Sequence, residues 1–200
     1  MKKNNTILYI SLIIILLPVI IFFLGYLKLY IGIPCTILSL ICTYNLIKNE
    51  DIKVEFDFKK NYIPIIILVI IFLWLFFSGI GSFSYQNYDH EVRNAILHDL
   101  IDYKWPVTYD FTNLSNNYQN ILQASSARLV YYFTYWLPAS VVGKIINYQA
   151  STIFLFIYSY IYLVVIYLLI KNNTKLNPIY VLLIFIFFSG LDCLVNVTNI

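Results

Sequence analysis

Twenty-one successive residues, Ile7 to Leu27 (ILYISLIIILLPVIIFFLGYL), carry no charged side chain. About 20 apolar residues in a helix cross the roughly 30 Å of hydrocarbon in a bilayer, so this run constrains the fold more than any other feature. Lys2 and Lys3 precede it in the manner of a signal peptide. The apolar run is too long for one, however, and no small-residue cleavage site follows, so an uncleaved anchor is expected. Pro18 removes a backbone donor inside it and predicts a kink. Leu29 to Ile47 reads as a second span, and only Lys28 separates the two, which predicts a tight hairpin. Tyr62 to Ile80, Ala150 to Ile170, and Pro178 to about Val195 read as further spans. The composition agrees: 60% of the residues are hydrophobic and 12% charged, against about 25% charged in soluble domains. This excludes a disordered chain, a nucleic-acid tail and an ordinary soluble globule. A net charge of +3 is too small to imply a polyanionic partner, so no nucleic acid is expected. Cys35, Cys42 and Cys193 lie in or beside apolar runs and form neither a disulfide framework nor a zinc spacing.

The segment Arg128 to Ile146 (RLVYYFTYWLPASVVGKII) is apolar enough to suggest a sixth span. It is short, carries Arg128 and Lys144 at its ends and Pro138 inside, and is rich in Tyr and Trp, which favour the headgroup level. The lysines separate the alternatives. If the segment spans, Lys171 and Lys175 fall outside. If it lies in the interface, they join Lys2, Lys3, Lys48, Lys53, Lys59 and Lys60 on the cytoplasmic side, which the positive-inside rule favours. An interfacial amphipathic helix is therefore expected. The fold class that follows is all-α: a polytopic transmembrane helical bundle of about five spans with one long extracytoplasmic loop containing interfacial amphipathic helices. Residues 1–61 would form a transmembrane hairpin plus a cytoplasmic loop. Residues 62–200 would contain the span 62–80, the outer loop 81–149 and the spans 150–170 and 178–195. The N-terminus is expected in the cytoplasm and the chain in the cell membrane. A bundle this thin reads as the front portion of something larger.

The outer loop carries the chemistry. From Asp89 the sequence runs DHEVRNAILHDLIDYKWPV. Val92, Ile96 and Leu100 repeat at helical spacing with Ala95 beside them, while His90, Arg93, Asn94, Leu97 and Asp99 fall around the rest. Asp89 suits the N-cap, and Trp105-Pro106 is expected to end the helix. Thr108 to Ser126 reads as a mobile polar loop, and Ser125-Ser126 offer a cap for the next helix. The third span ends FFSGIGSF and the fifth FFSGLDCL, either a shared exit turn or a coincidence of composition.

Asp89, just beyond the third span, can act as general base on an acceptor hydroxyl, or serve only as a helix cap. Arg93 can hold a phosphate with its planar fork, or snorkel to headgroups. Asp192, at the outer end of the last span, is a second candidate because a carboxylate there must be wetted or paired. His90 and His98 are too far apart for one small ion, and no GxSxG, HExxH, P-loop or GxGxxG is present, so neither metal nor cofactor is expected.

The order of features is a span, a GxG exit, D-H-x-x-R-N-A-I-L-x-D-L, Trp-Pro, a polar loop, then L-V-Y-Y-F-x-Y-W-L-P-A-S-V-V-G-K. It resembles the N-terminal part of bacterial GT-C-type multi-spanning membrane glycosyltransferases over roughly Ser78 to Asp192. Where that family's interfacial helix often begins Pro-Leu-Tyr-Tyr, this chain has Arg128-Leu129-Val130-Tyr131-Tyr132, without the prolines. The resemblance implies transfer of a hexosyl or pentosyl group from a polyprenyl-phosphate carrier to an extracytoplasmic acceptor. It implies Asp89 as the base, with Arg93, Arg128 or Lys144 neutralising the leaving phosphate, and a substrate site that includes His90, Asn94, Tyr132 and Asp192. The alternatives are a non-catalytic membrane subunit and a transporter or flippase component of polysaccharide assembly.

Overall fold

A computed structural model describes residues 6–49, 62–112 and 125–188. The chain is mostly helical, and three of its helices are long and apolar enough to cross a membrane. These are α1 (Thr6–Tyr26), α2 (Leu29–Asn49) and, further along the chain, α6 (Tyr148–Asn173). Two shorter apolar helices accompany them, α3 (Ile63–Phe77) and α7 (Pro178–Phe187). Helix α3 is shorter than the span expected from 62 to 80, because the chain leaves the helix at Ser78 and turns through Gly79 (φ +83°), Gly81 (φ +82°) and Ser82 (φ +64°). The end of the last expected span, with Asp192 and the FFSGLDCL echo, lies outside the described residues, as does the loop 50–61.

Helices α1 and α2 form the expected hairpin. A Cβ on Gly32 would stand 2.1 Å from the Phe23 carbonyl oxygen, so only glycine lets the two backbones come this close. The half-buried side of α2 continues with Cys35, Thr36, Ser39 and Thr43. The hydroxyls of Thr36, Ser39 and Thr43 donate to their own helix's carbonyls at 2.8 Å and so present no bare donor to lipid. In a bilayer, helix association rests on close fit rather than on water exclusion, and small residues supply that fit.

Helix α6 runs antiparallel to both α1 and α3. On the α3 side, Gly81 meets Phe156, the Tyr160 hydroxyl donates to the Leu68 carbonyl at 3.1 Å, and Tyr167 packs with Ile67 and Ile71. On the α1 side, the Tyr158 hydroxyl donates to the Ile14 carbonyl at 2.6 Å, while Ile7 packs near Val165. The C-terminal ends of α1 and α3 and the N-terminal end of α6 therefore meet at one end of the bundle. The segment between α3 and α6 forms a cap there.

The cap consists of α4 (Tyr88–Asp102), a two-stranded antiparallel ribbon, a 3-10 turn (Phe133–Trp136) and α5 (Leu137–Ile145). In the ribbon, β1 (Thr108–Asp110) pairs with β2 (Ser126–Arg128), with Tyr109 opposite Ala127. Its core joins Ile96, Leu97, Leu100, Val107, Phe133, Trp136, Leu137 and Leu155. Against water, each fully buried aliphatic side chain here contributes about 1.5–3 kcal/mol.

Several sequence expectations shift at this cap. The α-helical part of Arg128–Ile146 is α5 alone, nine residues and about 14 Å long, entered through the 3-10 turn Phe133–Trp136. It is too short to cross a bilayer. Arg128 does not begin that helix; it sits exposed at the end of β2. Ser126 likewise pairs in β2 instead of capping a helix, because the ends of the polar loop are drawn together by the ribbon. In α4 the buried stripe is Ile96, Leu97 and Leu100 while Val92 stays exposed, so the helix is rotated from the expected face. The rotation lets Leu97 enter the cap core. The helix ends at Asp102 rather than at Trp105-Pro106, with Tyr103 already extended (φ −89°, ψ 154°). Trp105 instead folds back, donates from Nε1 to the Leu100 carbonyl at 2.8 Å and packs on Gly25 and Tyr26 of α1.

Lys144 locks this corner. Its ammonium donates to the carbonyls of Ile101 (2.8 Å) and Tyr103 (2.6 Å) and lies 5.2 Å from the centre of the Trp105 ring. Partial burial lowers its pKa and Asp102 pulls it back up. Lys144→Met keeps the stem and removes the donors. It is expected to destabilise the cap by about 1 kcal/mol, toward the low end for a charge-assisted pair because water reaches the site. A lowered thermal midpoint in detergent checks this.

Candidate functional site

At the junction of the cap and the bundle, a cleft of about 330 Å³ lies over the C-terminal end of α3. The exit turn contributes Gly79, Ile80 and Gly81, α4 contributes His90, Arg93 and Asn94, and Tyr132, Tyr135 and Trp136 close the opposite wall. Leu155 of α6 and Gln86 complete it.

The backbone of the exit turn places these groups. A Cβ on Gly79 would lie 3.0 Å from the Tyr85 carbonyl oxygen and 3.1 Å from His90 Nε2; one on Gly81 would lie 2.9 Å from Phe156 Cβ. Gln86 Nε2 donates to the Gly79 carbonyl at 2.7 Å, and Asn94 Nδ2 donates to Gln86 Oε1 at 2.8 Å. This amide chain ties the second turn of α4 to the end of α3. Gly79→Ala is expected to destabilise the protein by about 1–2 kcal/mol through the left-handed φ alone, with further loss from the two close approaches. The test is a melting curve compared with Ala95→Gly, at an exposed site in α4.

Asn87, not Asp89, caps α4: its Oδ1 accepts from the His90 backbone N–H at 3.3 Å, and His90 Nδ1 lies 2.7 Å from the same oxygen. The reason is the start of the helix at Tyr88, one residue before Asp89. Asp89 is then a first-turn residue, exposed and favourably placed for the helix dipole. It does not line the cleft. On its other side the His90 ring lies against Gly79, with Nε2 3.1 Å from the point a Cβ there would occupy. Burial first, and then the neighbouring Arg93 charge, hold its pKa below the ordinary histidine value; the Ser78 carbonyl and Asp89 oppose the shift.

Arg93 is the cation in the lining, and its guanidinium acts on the Tyr131 hydroxyl. Tyr131 and Tyr132 stack at 3.9 Å and share a hydroxyl–hydroxyl bond of 2.7 Å, with Trp136 stacked 6.0 Å from Tyr131. The bond to Tyr132 raises the Tyr131 pKa, and Arg93 lowers it. Tyr135 anchors the wall through a hydroxyl contact with Ser159 of α6.

Of the sequence candidates, the cleft gathers His90, Arg93, Asn94 and Tyr132. Arg128 is elsewhere, on the ribbon, and Lys144 is committed to the C-terminal carbonyls of α4. Tyr109 donates to Asp99, so that carboxylate also has a partner within the cap. Gln86, Tyr135 and Trp136 were not singled out by the sequence; an amide just past a GxG exit was the available signal for the first. Among the described residues, no group of three or more His, Cys, Asp or Glu side chains is arranged to hold a metal.

Comparison with protein-family models, curated proteins and solved structures finds no match. The functional reading therefore rests on this geometry. An anion entering the cleft would meet one guanidinium, two amides and an aromatic wall, with apolar surface below. That combination suits an amphiphile with a single negative charge and a polar head.

Proposed function

We propose that the chain is an integral protein of the cell membrane, with about five spans, whose cap lies on the extracytoplasmic surface. There the cleft receives the phosphate end of a polyprenyl-phosphate-linked sugar. The reaction is glycosyl transfer of the GT-C type. The acceptor oxygen bonds to the anomeric carbon as its proton passes to a carboxylate. The carbon–oxygen bond to phosphate breaks, and the leaving phosphate keeps the electron pair. Asp89 is the carboxylate assigned to that step, and Arg93 offsets the charge developing on phosphate. The observation that carries the reading is Arg93 in an otherwise largely apolar cleft at the junction of bundle and cap.

A second reading, a non-catalytic subunit that only holds the carrier, is favoured by one fact: among the described residues, no carboxylate lines the cleft. Asp89→Asn separates the two. On the first reading, sugar transfer in native membranes falls by about 100-fold or more, the usual contribution of a general base. An unchanged rate removes the catalytic role and leaves the carrier-binding one.

A further inference from the structure

We propose that the cleft is a proton-linked anion site: Arg93 supplies a permanent positive charge, and His90 adds a second by taking up a proton when a phosphodiester enters. This rests on reading the cleft as the place of the carrier phosphate.

The geometry around His90 is built for two protonation states. Asn87 Oδ1 already accepts the His90 backbone N–H, and it faces Nδ1 at 2.7 Å. An amide oxygen can only accept, so Nδ1 carries the proton of the neutral ring. The other side of the ring rests on Gly79, where Nε2 is 3.1 Å from the point a Cβ would occupy, and the nearby Ser78 carbonyl favours the charged ring. In the neutral ring Nε2 has no proton to offer that carbonyl. In the imidazolium both nitrogens carry a proton, Nδ1 keeps Asn87 as its acceptor, and the Ser78 carbonyl favours the added charge.

With Nδ1 engaged by Asn87 and Nε2 turned to the Gly79 backbone, His90 acts through its charge. The groups that face it are few. Arg93, one turn along α4, opposes protonation, and Asp89 favours it. The exit of α3 presents a carbonyl and glycine, α6 presents Leu155, and the opposite wall presents the phenols Tyr132 and Tyr135. A single negative charge beside Arg93 cancels the main charge that opposes protonation. The His90 pKa then rises from its depressed value, and a proton is taken up with the ligand.

Calorimetry on the purified full chain in nanodiscs tests this with farnesyl methyl phosphate, a diester whose single charge does not change between pH 5.5 and 7.5. Affinity is expected to be about fivefold higher at pH 5.5, the scale of one added charge near a partly exposed site. The heat should depend on the buffer's ionisation enthalpy, reporting proton uptake. His90→Gln should bind with neither dependence. Dimethyl phosphate, with the same charge and no isoprenoid, is the second probe. pH-dependent binding of either supports the site, and the tighter one shows whether the phosphate arrives on a lipid. A flat pH profile in the unsubstituted protein, or an unchanged profile in His90→Gln, overturns the inference. If binding still requires Arg93 in that case, the carrier reading stands. If a folded protein binds neither diester at either pH, both fall.

Discussion

Arg93→Ala is expected to weaken binding of a polyprenyl phosphodiester by roughly 10- to 100-fold, the size of a lost charge-assisted hydrogen bond of about 1.5–3 kcal/mol. Among the described residues of the cleft, Arg93 alone keeps its charge at every working pH. Its loss should leave folding largely intact, because the cap core is carried by Ile96, Leu97 and Leu100 on the buried face of α4. Arg93→Lys should recover part of the affinity, since an ammonium keeps the charge and loses the planar fork. Binding by titration, paired with melting curves of the same preparations, separates lost recognition from lost structure. Equal affinity in the alanine variant would remove the phosphate from this cleft.

Gly32→Val is expected to have the largest structural effect. A Cβ at this position would lie 2.1 Å from a backbone oxygen, not from a side chain that could swing aside. The two helices must therefore separate along their length, and the fit that replaces the hydrophobic effect inside lipid is lost. The cap depends on α1 as well: Phe22 and Tyr26 pack on Phe133 at 6.3 and 4.6 Å, and Tyr26 packs on Trp105. A displaced hairpin should disturb both layers, so the variant should lose its cooperative melt or accumulate poorly. Gly32→Ala should be intermediate, and a normal melt in Gly32→Val would show that the close crossing is not required.

Much of the fold was legible because bilayer physics restricts the choices. Uninterrupted apolar runs, and a lone Lys28 between two of them, were enough to place α1, α2 and α6. Apart from the early end of α3 at Phe77, the departures are in the cap, where local signals compete. Asp89 and Asn87 are both good caps, and the left-handed exit through Gly79 and Gly81, not propensity, sets where α4 begins. Val92 and Leu97 lie on different faces of one helix, and tertiary packing chose between them. Thr108 and Arg128 pair across a long stretch of sequence that carries no alternating pattern. Within the site, Arg93 and its neighbours were found because charge is rare in this chain. Gln86 and Tyr135 were missed because amides and phenols are common in it. Lys144 shows the converse: the family resemblance suggested a phosphate ligand, yet its position near the end of α5 commits it to the carbonyls of Ile101 and Tyr103.

The central claim is that the cap and its cleft lie outside the cell while the far end of α6 lies inside. Cysteine labelling tests it most directly. In a background with Cys35, Cys42 and Cys193 replaced by alanine, Glu91→Cys on α4 and Lys175→Cys beyond α6 are exposed to a membrane-impermeant maleimide on intact cells. The account predicts that Glu91→Cys reacts at once and Lys175→Cys only after permeabilisation. Reaction of both from the same side, or of Lys175→Cys alone in intact cells, would contradict it.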